Sequence, residues 1–185
     1  MTTPTLRLHG RRFAPLLSGN EVAARVRALA GELDGLLGSA VEAAKPPLAI
    51  GVLNGAAIFH ADLVRACEQP LELAYLRTRS YVGTASTGRV TVEWPADLAV
   101  DGRRVVLVED IVDTGRTLVR LVEELHERGA ASVKVVVLLD KPTARAVPFQ
   151  PDLVGFAIED RFVVGCGLDF DGLGRDLPGV WAVAD

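Results

Sequence analysis

The chain has 185 residues, 49% of them apolar, with a formal net charge of −4 and a pI near 5.4. That length suits one domain with a sizeable core, and apolar residues spread along the whole chain exclude a disordered protein. The acidic balance speaks against a general nucleic-acid binder, which needs a basic face to displace counterions.

Residues 1–17 hold Arg7, Arg11 and Arg12 and show little periodicity. Ser18-Gly-Asn-Glu21 then reads as a capping box, with Leu17 and Val22 spaced as a hydrophobic staple. Val22, Val26, Leu29, Leu33, Leu36, Ala40 and Ala44 follow at steps of three and four, which predicts an amphipathic helix closed by Pro46-Pro47. LAIGVL (48–53) is a short buried strand, AAIFHADLVRACE (56–68) a helix and LELAYLR (71–77) a strand. Residues 78–90, rich in Gly, Ser and Thr, read as a long exposed loop, with Val90–Trp94 a strand returning from it. RVVLVED (104–110) is a buried strand, Arg116–Arg128 a helix ending at Gly129, and SVKVVVLLD (132–140) a strand. DLVGFAI (152–158) and RFVVGCGL (161–168) are two further short strands.

Strands alternating with helices predict an α/β fold with a central parallel sheet, and strands apolar throughout predict that both faces are covered. The whole of 1–185 reads as one domain, with a core of about residues 20–141. The segments of about 1–19 and 142–185 break the rhythm and are expected to form a small hood. Cys67 and Cys166 lie far apart and read as free thiols of a reducing compartment. With no signal-peptide pattern and no apolar run of membrane-spanning length, the chain reads as cytoplasmic, with no membrane partner. His9, His60 and His126 are isolated and read as structural or solvated.

The chemistry concentrates in VVLVEDIVDTGRTL (105–118). In an open parallel sheet, ligands bind beyond the carboxyl ends of the strands, where Glu109 and Asp110 stand side by side. Adjacent carboxylates accept well from a vicinal diol. Thr114, Gly115, Arg116 and Thr117 then open a helix, whose free N–H groups and partial positive charge suit a phosphate. Gly115 allows close backbone approach, and the hydroxyls of Thr114 and Thr117 add hydrogen bonds. Asp113 alone is an equally good N-cap, but the run as a whole points to a ribose 5-phosphate. The phosphate-loop and dinucleotide-binding glycine motifs are absent from the sequence.

This run resembles the phosphoribosyl-pyrophosphate signature of the type I phosphoribosyltransferases, most closely its hypoxanthine-guanine branch. Three other stretches are similar to that family in the expected order. They are IGVLNGAAIFHADL (50–63) with its pyrophosphate loop, RSYVGTASTG (79–88) with its mobile catalytic loop, and DRFVVGCGLDFDGLGRDLP (160–178) with its purine-binding hood. The likeness covers about residues 15–183. It implies the type I phosphoribosyltransferase fold and transfer of ribose 5-phosphate from phosphoribosyl pyrophosphate to a 6-oxopurine, with Mg²⁺ and release of pyrophosphate. It also implies purine salvage, a homodimer or homotetramer, and no nucleic-acid partner.

Residue by residue, the resemblance implies that Glu109 and Asp110 hold the ribose hydroxyls directly or through the metal's waters, and that Asp113 through Thr117 cradle the 5-phosphate. Asp113 would also manage the proton on the purine N7 as a general base. Asn54 and Gly55 would present N–H groups to pyrophosphate from a loop with a non-proline cis peptide. Lys141 would contact the purine C6 oxygen, Phe162 would stack on the base, and the backbone of Val163 would read its edge. Asp169 would bind Mg²⁺ through pyrophosphate and Arg175 would bind pyrophosphate. Ser80 and Tyr81 would lie on a closing loop that keeps water out. Asn54 stands where many relatives have lysine, Cys166 where an aromatic is usual, and Leu173-Gly174 replaces a pair that is often aromatic. A xanthine-preferring relative, or an RNA-binding regulator on the same fold, are the competing readings.

Overall fold

A computed structural model describes residues 5–38, 45–80 and 90–184. Its main sheet has six strands in the order β5-β4-β3-β6-β7-β8. These are β3 (Leu48–Leu53), β4 (Glu72–Ser80), β5 (Val90–Glu93), β6 (Arg104–Val112), β7 (Ser132–Asp140) and β8 (Leu153–Ala157). β5 pairs antiparallel with β4; every other pairing in this sheet is parallel.

The apolar alternation of the central strands sorts the core into two layers. Ala49, Val106, Val108, Val136 and Leu138 face one side, with Val22, Val26, Leu29 and Leu33 of helix α1 (Gly19–Leu37) and Phe59 and Leu63 of helix α2 (Ala57–Ala66). Leu48, Ile50, Val105, Leu107, Val135 and Val137 face the other, with Leu118, Leu121 and Leu125 of helix α3 (Arg116–Glu127). Both faces are thus buried, as near-continuous Val/Leu strands require.

The capping box forms as the sequence predicts. The Glu21 N–H donates to Ser18 Oγ at 3.2 Å, and the Ser18 N–H donates to Glu21 Oε2 at 2.8 Å. The helix ends earlier than its periodicity suggests. Gly38 takes a left-handed φ of 63°, and its N–H donates to Asp34 O at 3.1 Å. Glycine at this place stops a helix at little cost, so the apolar pattern running on to Ala44 overstates its length. Ala40 and Ala44 lie outside the described residues.

A second, four-stranded antiparallel sheet has the order β1-β2-β10-β9, from β1 (Leu6–Leu8), β2 (Arg11–Leu17), β9 (Val163–Val164) and β10 (Val180–Ala184). The arginine-rich N-terminal segment is therefore strand, although its periodicity does not announce it. Its Pro15 lies opposite Trp181, where a bulge interrupts the register. DLVGFAI does not join this hood. As β8 it extends the main sheet beside β7, and Arg25 of α1 donates to the carbonyls of Val154 (2.7 Å) and Gly155 (2.9 Å). The stretch 142–185 is thus divided between the two sheets. β4 also runs on to Ser80, so part of the expected 78–90 loop is ladder, with Ser80 opposite Val90.

Candidate active site

Going outward from β3, the chain proceeds to β4 and β5 on one side, while β6, β7 and β8 lie on the other. The loops leaving β3 and β6 therefore face each other across the point where strand order reverses, the usual crevice for a ligand in such sheets. The loop after β3 carries Asn54 and Gly55, and the Leu53–Asn54 peptide is cis. The loop after β6 carries Asp113, Thr114 and Gly115. A cavity of about 200 Å³ opens here, lined by Glu109, Asp110, Asp113, Thr114, Gly115 and Thr117 among others. Thr78 at the end of β4 lines it too, a neighbour that sequence reasoning did not single out.

Glu109 and Asp110 end the unbroken buried run of β6 that begins at Val105, and are only 8% and 9% exposed. Burial, and then the charge of Asp110, pushes Glu109 well above the usual carboxylate range. Burial also raises Asp110, although hydrogen bonds from Glu109 and the Ile111 N–H (2.7 Å) and the positive charge of Arg175 pull it back. Two desolvated acids side by side make a costly arrangement for stability alone. Gly55 lies against this pair, for a Cβ on it would fall on the Asp110 carboxylate.

The start of α3 is open. Its N-cap is Gly115, at φ 82°, which has no side chain to cap it, and the Arg116 N–H reaches the Thr114 hydroxyl only at 3.5 Å. Asp113 is therefore not the N-cap that its residue type allows. A Cβ on Gly115 would crowd Phe149 and Val147 at 3.2 and 3.3 Å, so close packing as well as backbone conformation calls for glycine. Arg116 begins the helix with its side chain exposed. The Asp113 carboxylate lies 3.4 Å from Lys141 Nζ, and the same ammonium lies 3.3 Å from Asp160. Lys141 is 7% exposed, so its charge is held inside the site rather than on the surface.

The hood closes over the same crevice. A Cβ on Gly167 would fall on the carbonyl of Gly55, so the 165–168 turn and the loop after β3 touch backbone to backbone. Arg175 holds this turn by donating to Gly167 O at 2.6 Å and pairs with Asp169 at 2.7 Å. Phe162 is 42% exposed and packs T-shaped against Phe170, at 5.5 Å between ring centroids. An aromatic left open in this way is available to a flat ligand. Val163 is buried in β9. Cys166 is buried at φ 48°, and burial pushes its thiol up to about 11.

The structure thus brings Glu109, Asp110, Asp113, Thr114, Gly115 and Thr117 together around one cavity, with Asn54 and Gly55 alongside. Lys141 joins them through Asp113, and the hood segment carrying Phe162, Val163, Asp169 and Arg175 covers Gly55. Ser80 ends β4, and Tyr81 lies outside the described residues. Among the described residues, no group of three or more His, Cys, Asp or Glu is placed to hold a metal ion by itself. Sequence reasoning missed Arg77, whose Nη2 donates to Asn54 Oδ1 at 3.3 Å, and Arg145, described below. Nothing in their local pattern marks them; the register Leu53↔Arg77 across β3 and β4 brings the first into place.

The phosphoribosyl transferase domain family matches residues 16–171. The chain belongs to this family. This phosphoribosyltransferase is 42% identical over 164 residues to the hypoxanthine-guanine phosphoribosyltransferase of Bacillus subtilis, covering 88% of each chain. It is also 42% identical over 164 residues to the bifunctional protein TilS/HprT of Listeria innocua, where the match spans 88% of this chain and 24% of that longer protein. Among solved structures, the hypoxanthine phosphoribosyl transferase of Trypanosoma cruzi superposes with a TM-score of 0.86 at 34% identity, covering 97% of this chain and 95% of that one. Among the described residues, no helix is long and apolar enough to cross a membrane.

Proposed function

We propose that this phosphoribosyltransferase is a cytoplasmic purine salvage enzyme that converts hypoxanthine or guanine and phosphoribosyl pyrophosphate into the nucleoside monophosphate and pyrophosphate. The observation that carries this reading is the Asp113–Lys141 pair, 3.4 Å apart, with Asp113 lining a cavity that ends on the start of α3. An acceptor and a donor so placed match N7–H and the C6 oxygen of a 6-oxopurine. The 6-amino group of adenine offers Lys141 no acceptor.

Glu109 and Asp110 hold the ribose hydroxyls, and the first turn of α3 with Thr114 and Thr117 holds the 5-phosphate. Asn54, Gly55 and Arg175 face the pyrophosphate. Phe162 stacks on the base, and the backbone at Val163 reads its edge. As the bond from ribose C1 to pyrophosphate breaks, a purine nitrogen bonds to C1 and the proton shed from N7 passes to Asp113. General-base help of this kind is worth about 10²–10⁴ in rate. Ser80 and Tyr81, at the end of β4 and beyond it, exclude water during transfer.

The carboxylates of Glu109, Asp110 and Asp169 are hard oxygen donors, which suit Mg²⁺ carried in with substrate oxygens. The crowding that raises Glu109 is the kind a cation relieves. When bound, Mg²⁺ would offset the charge of the departing pyrophosphate. A homodimer or homotetramer is the assembly that goes with this reading.

The test is a spectrophotometric assay with hypoxanthine, guanine, xanthine and adenine, each with phosphoribosyl pyrophosphate and Mg²⁺. Turnover is expected with hypoxanthine and guanine and not with adenine. No turnover with either expected base, or turnover confined to xanthine or adenine, defeats the reading.

A further inference from the structure

Arg145 lies in the turn after β7, and its side chain reaches five acceptors. Nη1 donates to the carbonyls of Asp113 (2.6 Å), Val112 (3.1 Å) and Lys141 (3.2 Å), and Nε donates to Phe149 O at 3.3 Å. Nη2 pairs with the carboxylate of Asp140. The ion pair is enclosed, with side chains 15% and 8% exposed. The next two residues tighten the same junction, for the N–H groups of Ala146 and Val147 donate to Thr114 O at 3.0 and 3.3 Å.

An enclosed ion pair is weak evidence for a stabilising role, since apolar replacement is often neutral. What marks Arg145 is where its bonds go. They tie the backbone of Asp113, at the end of β6, to that of Lys141, at the end of β7. A planar guanidinium holds several acceptors in one fixed arrangement, which an ammonium cannot do.

We propose that Arg145 is a positioning residue for the transfer, locking Asp113 and Lys141 to one another across the purine site through their main chains. It touches neither the reacting atoms nor the base. The inference rests on the roles given to Asp113 and Lys141 above. A displacement of about 1 Å at such a site costs about 10²-fold in rate.

The test compares Arg145→Lys and Arg145→Ala with Asp113→Asn and Lys141→Ala in the full chain. The measurements are kcat, KM for hypoxanthine, the ratio of hypoxanthine to adenine affinity, and melting temperature. Arg145→Ala is expected to lose about 10²-fold in kcat/KM for hypoxanthine. Its base preference should relax in the same direction as in Lys141→Ala. Added guanidinium chloride should restore part of its activity where the same concentration of sodium chloride does not. Arg145→Lys should not substitute, and it carries the comparison if the alanine variant does not fold. Wild-type base preference in the folded Arg145 variants, or activity indifferent to guanidinium, overturns the proposal. Wild-type kinetics in Asp113→Asn and Lys141→Ala would instead overturn the roles on which it rests.

Discussion

Gly55 presents its bare Cα to the carboxylate of Asp110, and a Cβ in that place would fall on Oδ2. On its other side its carbonyl meets Gly167 of the hood. The loop after β3 is thus held between Asp110 of β6 and the covering turn, and two glycines make the approaches possible, Gly55 toward the carboxylate and Gly167 toward the Gly55 carbonyl.

Gly55→Ala is therefore expected to push the loop off Asp110. Forced overpacking of this kind costs about 1–3 kcal/mol. Phosphoribosyl pyrophosphate binding should weaken about tenfold or more, with a lower urea midpoint. A titration showing wild-type affinity in the variant would mean that the loop gives way without consequence.

Asp113→Asn keeps the shape of the side chain and removes its basicity. Turnover should fall by about 10²–10⁴, while binding of phosphoribosyl pyrophosphate changes only modestly. Steady-state kinetics together with direct binding separate the two effects. Unchanged turnover removes Asp113 as the base.

Lys141→Ala leaves Asp113 and Asp160 without their shared cation. A hydrogen bond to a charged group is worth about 1.5–3 kcal/mol, so preference for hypoxanthine over adenine should drop about tenfold or more. Competition binding of the two bases reads this directly. A variant with the original preference contradicts the assignment.

His60 is fully buried in α2, between Ala49 O at Nε2 (3.2 Å) and Tyr75 Oη at Nδ1 (3.1 Å). Burial lowers its pKa below the ordinary 6.5, despite the Ala49 carbonyl, which raises it. The unfolded chain then takes up a proton in mild acid that folded His60 refuses. Its contribution to stability is full above the ordinary value and is lost as the pH falls through it toward the lowered one. Urea midpoints at pH 7.5 and pH 5 should differ more in the wild type than in His60→Gln. Equal differences would mean that His60 plays no part in acid sensitivity.

The sequence alone determined those features whose physics is local. The capping box of α1 needs only residues 18–21. The run from Val105 to Leu118 carries strand, acid pair and helix opening in one uninterrupted stretch, so a candidate ribose-phosphate site can be proposed from it without a fold. Only the tertiary structure decided which distant backbones meet. It placed β2 and β10 in one sheet, though Arg11, Arg12 and Pro15 disguise the first, and it gave β8 to the main sheet rather than to the hood. It set Lys141 beside Asp113, Gly55 between Asp110 and Gly167, and Arg145 across the ends of β6 and β7. The reason is physical: periodicity and capping report on neighbours a few residues apart, whereas these contacts form between segments tens of residues apart, after the sheet's register has set which strand ends lie side by side.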